Sequence, residues 1–328
     1  MSRVAVLGAG SWGTTLAVHL AGAGHEVRLW GHLPADLARI EADRENRKFL
    51  PGINLPDGVK VRQQLEVALE GAEFTFFVVP SQAVREVAVS ARGRSQGLTV
   101  CASKGLELGS RERMSQVLER ALGEGDPVVL TGPSHAEEVS RGIPTSVVAA
   151  ARDEGRAARV QRLCSTARFR VYTNTDVAGC EIGAALKNVI AIAAGVCDGI
   201  GFGDNTKGAL LTRGLAEIAR LGAAMGAKQE TFFGLAGMGD LIATAMSRHS
   251  RNRLVGERLG RGERLEHVLK TMVMVAEGVP AARAARDLGL AHGVELPITE
   301  QVCGILFEGR SPRQALEALM ARDLRSES

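Results

Sequence analysis

The chain has 328 residues, of which 45% are hydrophobic and 23% are charged. This composition excludes a largely disordered chain, a collagen and a coiled-coil rod, and the length predicts about two domains. The formal net charge is 40 − 37 = +3. It gives no reason to expect a nucleic-acid or membrane partner, although it permits an anionic small substrate.

Five cysteines occur, at positions 101, 164, 180, 197 and 303. Their odd number and the absence of a CxxC pair indicate neither a disulfide framework nor a metal site, so we expect reduced thiols in a cytoplasmic protein. The chain opens on an apolar run rather than on a basic leader. The apolar run 189–197 is far shorter than the ~20 residues of a membrane helix, and we expect no membrane association.

Short apolar runs alternate with helical patterns in the first half of the chain. Strands are predicted at Arg3–Leu7, Glu26–Trp30, 74–79, 98–102, 128–130 and 145–149. Helices are predicted at 14–23, 35–41, 81–91, Met114–Leu122 and 156–164. Continuous apolar runs are typical of parallel strands covered on both faces. Their alternation with helices predicts βαβ crossovers and therefore a doubly wound parallel sheet.

After about residue 175 the strand-like runs nearly vanish. Helices are predicted at 177–194, 206–225, 253–259, 265–272, 281–288, 298–307 and 313–319. We therefore predict an α/β protein in which a Rossmann-like sheet domain, 1–178, precedes an all-α domain, 179–328. The Arg-, Ser- and Glu-rich end, 321–328, is expected to fray.

A GxGxxG motif at 8–13 lies between a predicted strand and a predicted helix. In this position Gly8 makes a tight turn, Gly10 lets a pyrophosphate approach the backbone, and Gly13 lets helix and sheet pack closely. The helix N-terminus offers N–H groups to the phosphates. The motif thus favours a dinucleotide site, with a purely structural glycine turn as the alternative.

The second strand ends in Trp30-Gly31-His32, where an NAD site usually carries an acidic residue. Because no carboxylate stands at this tip, NADP or dual use is favoured over strict NAD. His32, or Arg39 nearby, could contact a 2′-phosphate; the alternative is that His32 is an ordinary exposed loop residue.

Polar residues follow two further strands, at the sheet edge where such folds bind ligands. Lys104 could meet an anion or a carbonyl, although lone lysines are usually solvated. Gly132 and Ser134 could present a backbone N–H and a hydroxyl. His135 is better explained as a helix-entry residue than as a general base.

In the helical half, Lys187 has small residues at three of its four neighbouring helix positions, which leaves room for a ligand. Apolar surroundings lower a lysine pKa and suit it to proton transfer; the alternative is a lysine that reaches the surface. Farther along, Asp240 ends the glycine-rich run 234–240.

Three arginines fall within 247–253. We interpret Arg251, with Ser250 and Asn252, as a phosphate clamp rather than as part of a nucleic-acid surface. Arg248 and Arg253 are expected to face solvent, and the segment 275–278 is expected to be strand-like or a turn.

Nine blocks then occur in chain order: GAGSWGTTLA (8–17), VVPSQAVREV (78–87), SKGLE (103–107), GPSHAEEV (132–139), EIGAALKNVIAIAAG (181–195), GLAGMGDL (234–241), SRHSRNR (247–253), MVAEGV (274–279) and ELPITE (295–300). From about residue 3 to 320 the chain resembles the bacterial NAD(P)-dependent glycerol-3-phosphate dehydrogenase family. The resemblance implies a homodimer that interconverts dihydroxyacetone phosphate and sn-glycerol 3-phosphate for phospholipid synthesis. A related dehydrogenase for hydroxy acids or sugar nucleotides, and a non-catalytic dinucleotide sensor, stay open as alternatives.

The spacings of the seven histidines and of the cysteines favour no metal site. The resemblance also implies residue roles. Lys187, as proton donor and acceptor, Asp240 and Lys104 are expected to be catalytic. Cofactor contacts are expected from Gly8, Gly10, Ser11, Trp12, Gly13, His32, Lys104, Ala136, Arg251, Val275 and Glu277. Substrate contacts are expected from Lys104, Gly132, Ser134, Lys187, Asp240, Ser250, Arg251 and Asn252.

Overall fold

The structure, a computed structural model, describes residues 1–95, 97–123 and 125–323. Of the end that was expected to fray, 324–328 lie outside the described residues. The strands are β1 (Arg3–Leu7), β2 (Glu26–Trp30), β3 (Val59–Arg62), β4 (Phe74–Phe77), β5 (Leu98–Cys101), β6 (Val128–Thr131), β7 (Thr145–Ala150) and β8 (Phe169–Asn174). The helices of the same half are α1 (Ser11–Gly22), α2 (Pro34–Asp43), α3 (Leu65–Leu69), α4 (Val84–Ala91), α5 (Met114–Leu122), α6 (Ala136–Val139) and α7 (Glu154–Cys164).

The helical half follows β8 directly. Its helices are α8 (Val177–Ile200), α9 (Asp204–Ala224), α10 (Asp240–Met246), α11 (Arg251–Gly260), α12 (Leu265–Lys270), α13 (Gly278–His292), α14 (Pro297–Phe307) and α15 (Pro312–Met320). The predicted fold class is confirmed: a largely parallel sheet flanked by helices precedes helices alone.

The eight strands form one sheet in the order β3-β2-β1-β4-β5-β6-β7-β8. Strands β1 to β6 are parallel, but β7 runs antiparallel to β6 and β8 parallel to β7. The expectation of a wholly parallel sheet was therefore wrong at one pair. A parallel crossover normally needs a covering helix, and the β6–β7 connection carries only the four-residue α6, so the chain returns in the opposite direction.

The two strands missed in the sequence, β3 and β8, are the edges of the sheet. Their buried residues alternate with exposed or partly exposed ones, because an edge strand is covered less completely than a central one. A search for continuous apolar runs does not detect such strands.

Helix α8 is the centre of the helical half and is buried along most of its length. It is long and apolar enough to cross a membrane, but its most apolar stretch is 100% buried inside the fold. The apolar helix, at 24 residues, is therefore much longer than the apolar run 189–197 that was recognised in the sequence.

Two features fix the neighbours of α8. At the crossing of α8 and α11, a Cβ on Gly195 would lie 2.0 Å from the carbonyl oxygen of Arg253, and one on Gly256 1.9 Å from that of Ile192. The two backbones are thus in direct contact. On α9, the buried carboxylate of Glu217 accepts the backbone N–H groups of Ile298 and Thr299, at 2.5 and 3.2 Å, and so anchors the start of α14.

Candidate active site

One cleft between the carboxyl edge of the sheet and the helical half gathers most of the predicted site residues. Those that line it are Gly8, Gly10, Ser11, Trp12, His32, Lys104, Ser134, Ala136, Lys187, Asp240, Ser250, Arg251, Asn252, Val275 and Glu277. Gly13 and Gly132 do not line it. The predicted residues from both halves of the chain therefore face a shared space.

The glycine-rich turn is shaped to receive a pyrophosphate. Gly8 has φ +130°, and a Cβ there would lie 2.6 Å from the carbonyl oxygen of Val78. A Cβ on Gly13 would lie 1.8 Å from the carbonyl oxygen of Gly8, whereas one on Gly10 would meet nothing within 4 Å. Gly8 and Gly13 thus close the turn, and Gly10 leaves it open toward the cleft.

Helix α1 begins at Ser11, three residues earlier than predicted, with Gly10 as its N-cap. No side chain caps this end, so its first N–H groups are available to an anion. The buried Nε1 of Trp12 likewise has no hydrogen-bond partner among the described residues. Open space at Gly10, an uncapped helix and a free indole donor all fit a bound dinucleotide.

Two lysines converge on one buried carboxylate. Asp240, at the start of α10, is 1% exposed. Its Oδ1 accepts from Lys187 Nζ, and its Oδ2 accepts from Lys104 Nζ at 2.9 Å. Lys187 also donates to Thr244 Oγ1 at 2.7 Å, and Lys104 to the carbonyl oxygen of Gly132 at 2.8 Å. Gly132 therefore supports Lys104 through its carbonyl.

Burial and charge act on this cluster in opposite directions. Burial lowers the pKa of Lys187 to about 7, although the carboxylate of Asp240 opposes the shift. The pKa of Asp240 is lowered, because the attraction of Lys104 and Lys187 outweighs the effect of burial. The carboxylate therefore stays ionised, while the lysine can gain or lose a proton near neutrality.

One of the three small neighbours of Lys187, Gly183, has a different role from the one expected. A Cβ on Gly183 would lie 2.7 Å from the carbonyl oxygen of Ala236. The glycine-rich run 234–239 thus fills the space beside Gly183, while Lys187 itself lines the cleft. The close packing of this run against α8 places Asp240 beside Lys187.

Arg251 is the cation at the opposite wall of the cleft. It donates to the carbonyl oxygen of Val275 at 2.8 Å, and Glu277 and Glu137 are the carboxylates that act on it electrostatically. Burial lowers its pKa from a very high ordinary value, so the group remains a cation. It retains donors for an anion.

Asn252 and Ser250 are partly committed to holding α11 in place. The Nδ2 of Asn252 donates to Asn188 Oδ1 at 2.8 Å, and its Oδ1 accepts from Gly278 N at 2.9 Å. One N–H of Asn252 therefore remains for a ligand. Ser250 is the N-cap of α11 and accepts from Arg253 N at 3.2 Å.

Glu277 ties the two halves together at the cleft. Its carboxylate accepts Ser81 N at 2.9 Å and Ser81 Oγ at 2.5 Å. The segment that carries it is neither a strand nor part of the sheet, because Glu277 directly precedes α13. The strand-like alternative for 275–278 was therefore wrong.

Two further expectations concern basic residues near the cleft. Arg253 was expected to face solvent, but its side chain is 19% exposed and is paired with Asp198 at 2.7 Å and Glu257 at 3.2 Å. Arg248 is exposed. His135 directly precedes α6, as expected of a helix-entry residue, and its pKa is lowered by burial.

Several cleft residues had received no role from the sequence, among them Asp36, Phe49, Asn188 and Thr244. Thr244 lies one helical turn after Asp240, and Asn188 adjoins Lys187, so proximity to an acid or a lysine was the available signal. Nothing local marked Asp36 or Phe49, since tertiary packing alone brings them to the cleft.

Comparison with known proteins identifies the family. Residues 3–157 match the family model for the N-terminus of NAD-dependent glycerol-3-phosphate dehydrogenase, and residues 176–317 match that for its C-terminus. A glycerol-3-phosphate dehydrogenase [NAD(P)+] of Pelodictyon phaeoclathratiforme is 50% identical, with 99% of both chains covered. One of Desulfitobacterium hafniense is 51% identical over 100% of this chain and 93% of its own. The crystal structure of glycerol-3-phosphate dehydrogenase from Coxiella burnetii superposes with a TM-score of 0.94, at 37% identity and with 98% and 99% of the chains covered.

Proposed function

The chain belongs to the NAD-dependent glycerol-3-phosphate dehydrogenase family, and on this premise we propose how its residues act. The protein is an oxidoreductase that interconverts dihydroxyacetone phosphate and sn-glycerol 3-phosphate with NAD(P)H. This reaction supplies the backbone of glycerophospholipids. The observation that carries the residue roles is the convergence of Lys187 and Lys104 on Asp240, in one cleft with Arg251.

The dinucleotide occupies the side of the cleft formed by the sheet. Gly8, Gly10 and Gly13 shape the turn, Ser11 and Trp12 offer N–H donors, and His32, Lys104, Ala136, Arg251, Val275 and Glu277 line the rest of its path. When bound, the nicotinamide group donates or accepts the hydride. The fit of this side rests on the open space at Gly10 and the uncapped start of α1.

Lys187 is the proton donor in reduction and the acceptor in oxidation. Negative charge develops on the C2 oxygen of dihydroxyacetone phosphate as C2 is reduced, and a buried ammonium stabilises and protonates that oxygen. Asp240 holds Lys187 and Lys104 in place through its two carboxylate oxygens. Lys104 adds a second positive charge beside the C2 oxygen of the substrate.

The substrate phosphate lies against Arg251 and Asn252. A guanidinium that donates to one backbone carbonyl and keeps its other N–H groups suits a phosphate dianion, and Asn252 has one N–H left to donate. Ser250, Ser134 and Gly132 complete this wall, the last by holding Lys104. Such fixed contacts orient the carbonyl for reaction.

We also propose that the labour is divided between a dinucleotide-binding domain, 1–178, and a helical substrate and catalytic domain, 179–328. In support, β8 ends at Asn174, α8 begins at Val177, and Lys187, Asp240 and Arg251 all lie beyond that point.

A cytoplasmic homodimer is proposed from the family resemblance. Five unpaired buried cysteines suit a reducing compartment. Light scattering that gives one chain mass in solution would exclude the dimer.

The decisive assay mixes the protein with dihydroxyacetone phosphate and NADPH or NADH and follows absorbance at 340 nm. We expect oxidation of the dinucleotide with dihydroxyacetone phosphate and far less with unphosphorylated dihydroxyacetone or with 2-oxo acids. Turnover confined to a 2-oxo acid would favour the related hydroxy-acid dehydrogenase instead. Dinucleotide binding without any turnover would favour the sensor.

A further inference from the structure

Two cations meet one carboxylate at the end of the cleft beyond β2. Asp36, on α2, lines the cleft together with His32 and Phe49. Its Oδ2 accepts from Lys48 Nζ at 2.8 Å, and its Oδ1 accepts from Arg39 Nη2. In a fold of this type the segment after β2 faces the adenosine ribose, so this cluster lies where NAD and NADP differ.

The turn that carries Lys48 is fixed to the glycine-rich turn. Asn46 is 1% exposed, and its Nδ2 donates to the carbonyl oxygen of Ala9 at 2.9 Å and to Thr14 Oγ1 at 2.8 Å. Its Oδ1 accepts from Phe49 N at 3.3 Å. The ammonium of Lys48 lies 4.9 Å from the centroid of the Phe49 ring. These contacts hold Lys48 against Asp36, which lines the cleft, while Lys48 itself is not a lining residue.

The carboxylate of Asp36 is already occupied. Each oxygen accepts from a different cation, and the hydrogen bond from Lys48 is the largest cause of its lowered pKa. An NAD site uses a carboxylate to accept from the ribose 2′-OH, and this one is engaged elsewhere. The cluster carries one negative and two positive charges. An ammonium has three N–H donors and a guanidinium has five, so most of these donors remain available to a ligand.

We propose that Lys48 and Arg39, positioned by Asp36, bind the 2′-phosphate of NADP, so that the cleft prefers NADP to NAD. The inference rests on the proposed function, because it assumes that the adenosine end of a dinucleotide lies here. Arg39, on α2, and Lys48, in the turn after α2, would thus determine the preference, although neither lies at the end of β2. Asp36 acts as a positioning residue, and Lys48 and Arg39 act as specificity residues.

The test measures binding without substrate, through the fluorescence of NADPH and NADH and through thermal stabilisation by adenosine 2′,5′-bisphosphate. We expect Lys48→Met to raise the Kd of NADPH about tenfold, the scale of one charge-assisted hydrogen bond, and to leave that of NADH within about twofold. Arg47→Met is the matched control: Arg47 pairs with Asp43 and Glu45, neither of which lines the cleft, whereas Lys48 pairs with the lining residue Asp36. It should leave both constants unchanged.

Asp36→Asn separates the two possible roles of the carboxylate. Because Asp36 is proposed not to accept from the ribose, this variant should keep the NADH Kd of the wild type. A tenfold loss of NADH affinity would overturn the proposal, as would an unchanged NADPH Kd in Lys48→Met. A wild-type protein that binds neither dinucleotide would instead refute the proposed function.

Discussion

Replacement of Lys187 by Ala tests the proton-transfer role most directly. Lys187 is 5% exposed, and its ammonium donates to Asp240 and to Thr244 Oγ1, the latter at 2.7 Å, so solvent does not easily replace it. Loss of a general acid costs about 10²–10⁴ in rate, and we expect turnover with dihydroxyacetone phosphate to fall at least ~100-fold. In this variant Asp240 still accepts a hydrogen bond from Lys104 at 2.9 Å, so its buried carboxylate is not left without a cation.

The wild-type pH profile should report the same group. Burial lowers the pKa of Lys187 to about 7, so the ammonium that protonates the substrate is lost as the pH rises above 7. We expect kcat/KM for reduction to fall about tenfold per pH unit above that value. For oxidation, which needs the neutral amine, kcat/KM should rise with pH up to about 7.

Lys207→Ala provides the matched control, since Lys207 is a partly buried lysine that pairs with Asp198 and does not line the cleft. It should retain wild-type turnover, and both variants should unfold cooperatively in a thermal scan. Near-normal turnover of folded Lys187→Ala would refute the assignment.

Three further predictions concern other parts of the structure. Arg251→Ala should raise KM for dihydroxyacetone phosphate at least ~10-fold, with a smaller effect on kcat, because a charged donor to the phosphate is lost; an unchanged KM would remove the clamp. Gly10→Ala should weaken NADPH binding at nearly unchanged Tm, whereas Gly13→Ala should lower Tm, because its Cβ would lie 1.8 Å from the Gly8 carbonyl oxygen. Equal losses of Tm in the two variants would contradict the different roles given to these glycines in the glycine-rich turn. Burial raises the pKa of Glu217 to about 7, so the folded state keeps a proton that the unfolded state releases above ~4.5. The free energy of unfolding should therefore fall between pH 4.5 and 7 in the wild type but less in Glu217→Gln, and parallel urea midpoints across this range would count against it.

The central strands could be predicted because burial on both faces leaves a continuous apolar run, and most helices because burial of one stripe leaves a periodic apolar pattern. Strands β1 and β2 and helix α5 begin and end at the predicted residues. The edge strands β3 and β8 lack a continuous apolar run. The reversal at β7 depends on the shortness of α6, which no apolar pattern reveals.

At the site, residue chemistry indicated the charged groups but not their partners. Lys187, Asp240 and Lys104 could be singled out separately, while the fact that one carboxylate receives both lysines follows only from the packing of 234–239 against α8. The same limit applies to Asp36 and Lys48, which are 12 residues apart in sequence. Their pairing depends on the anchor that Asn46 provides.

The backbone contact between α8 and α11 has a consequence for genetics. Neither Gly195 nor Gly256 lines the cleft, yet a methyl group at either would collide with the backbone of the other helix. A saturation screen for growth would therefore score these glycines as intolerant as Lys187 or Arg251. The two classes would separate only by protein abundance, since glycine variants would lose the protein and cleft variants would retain it.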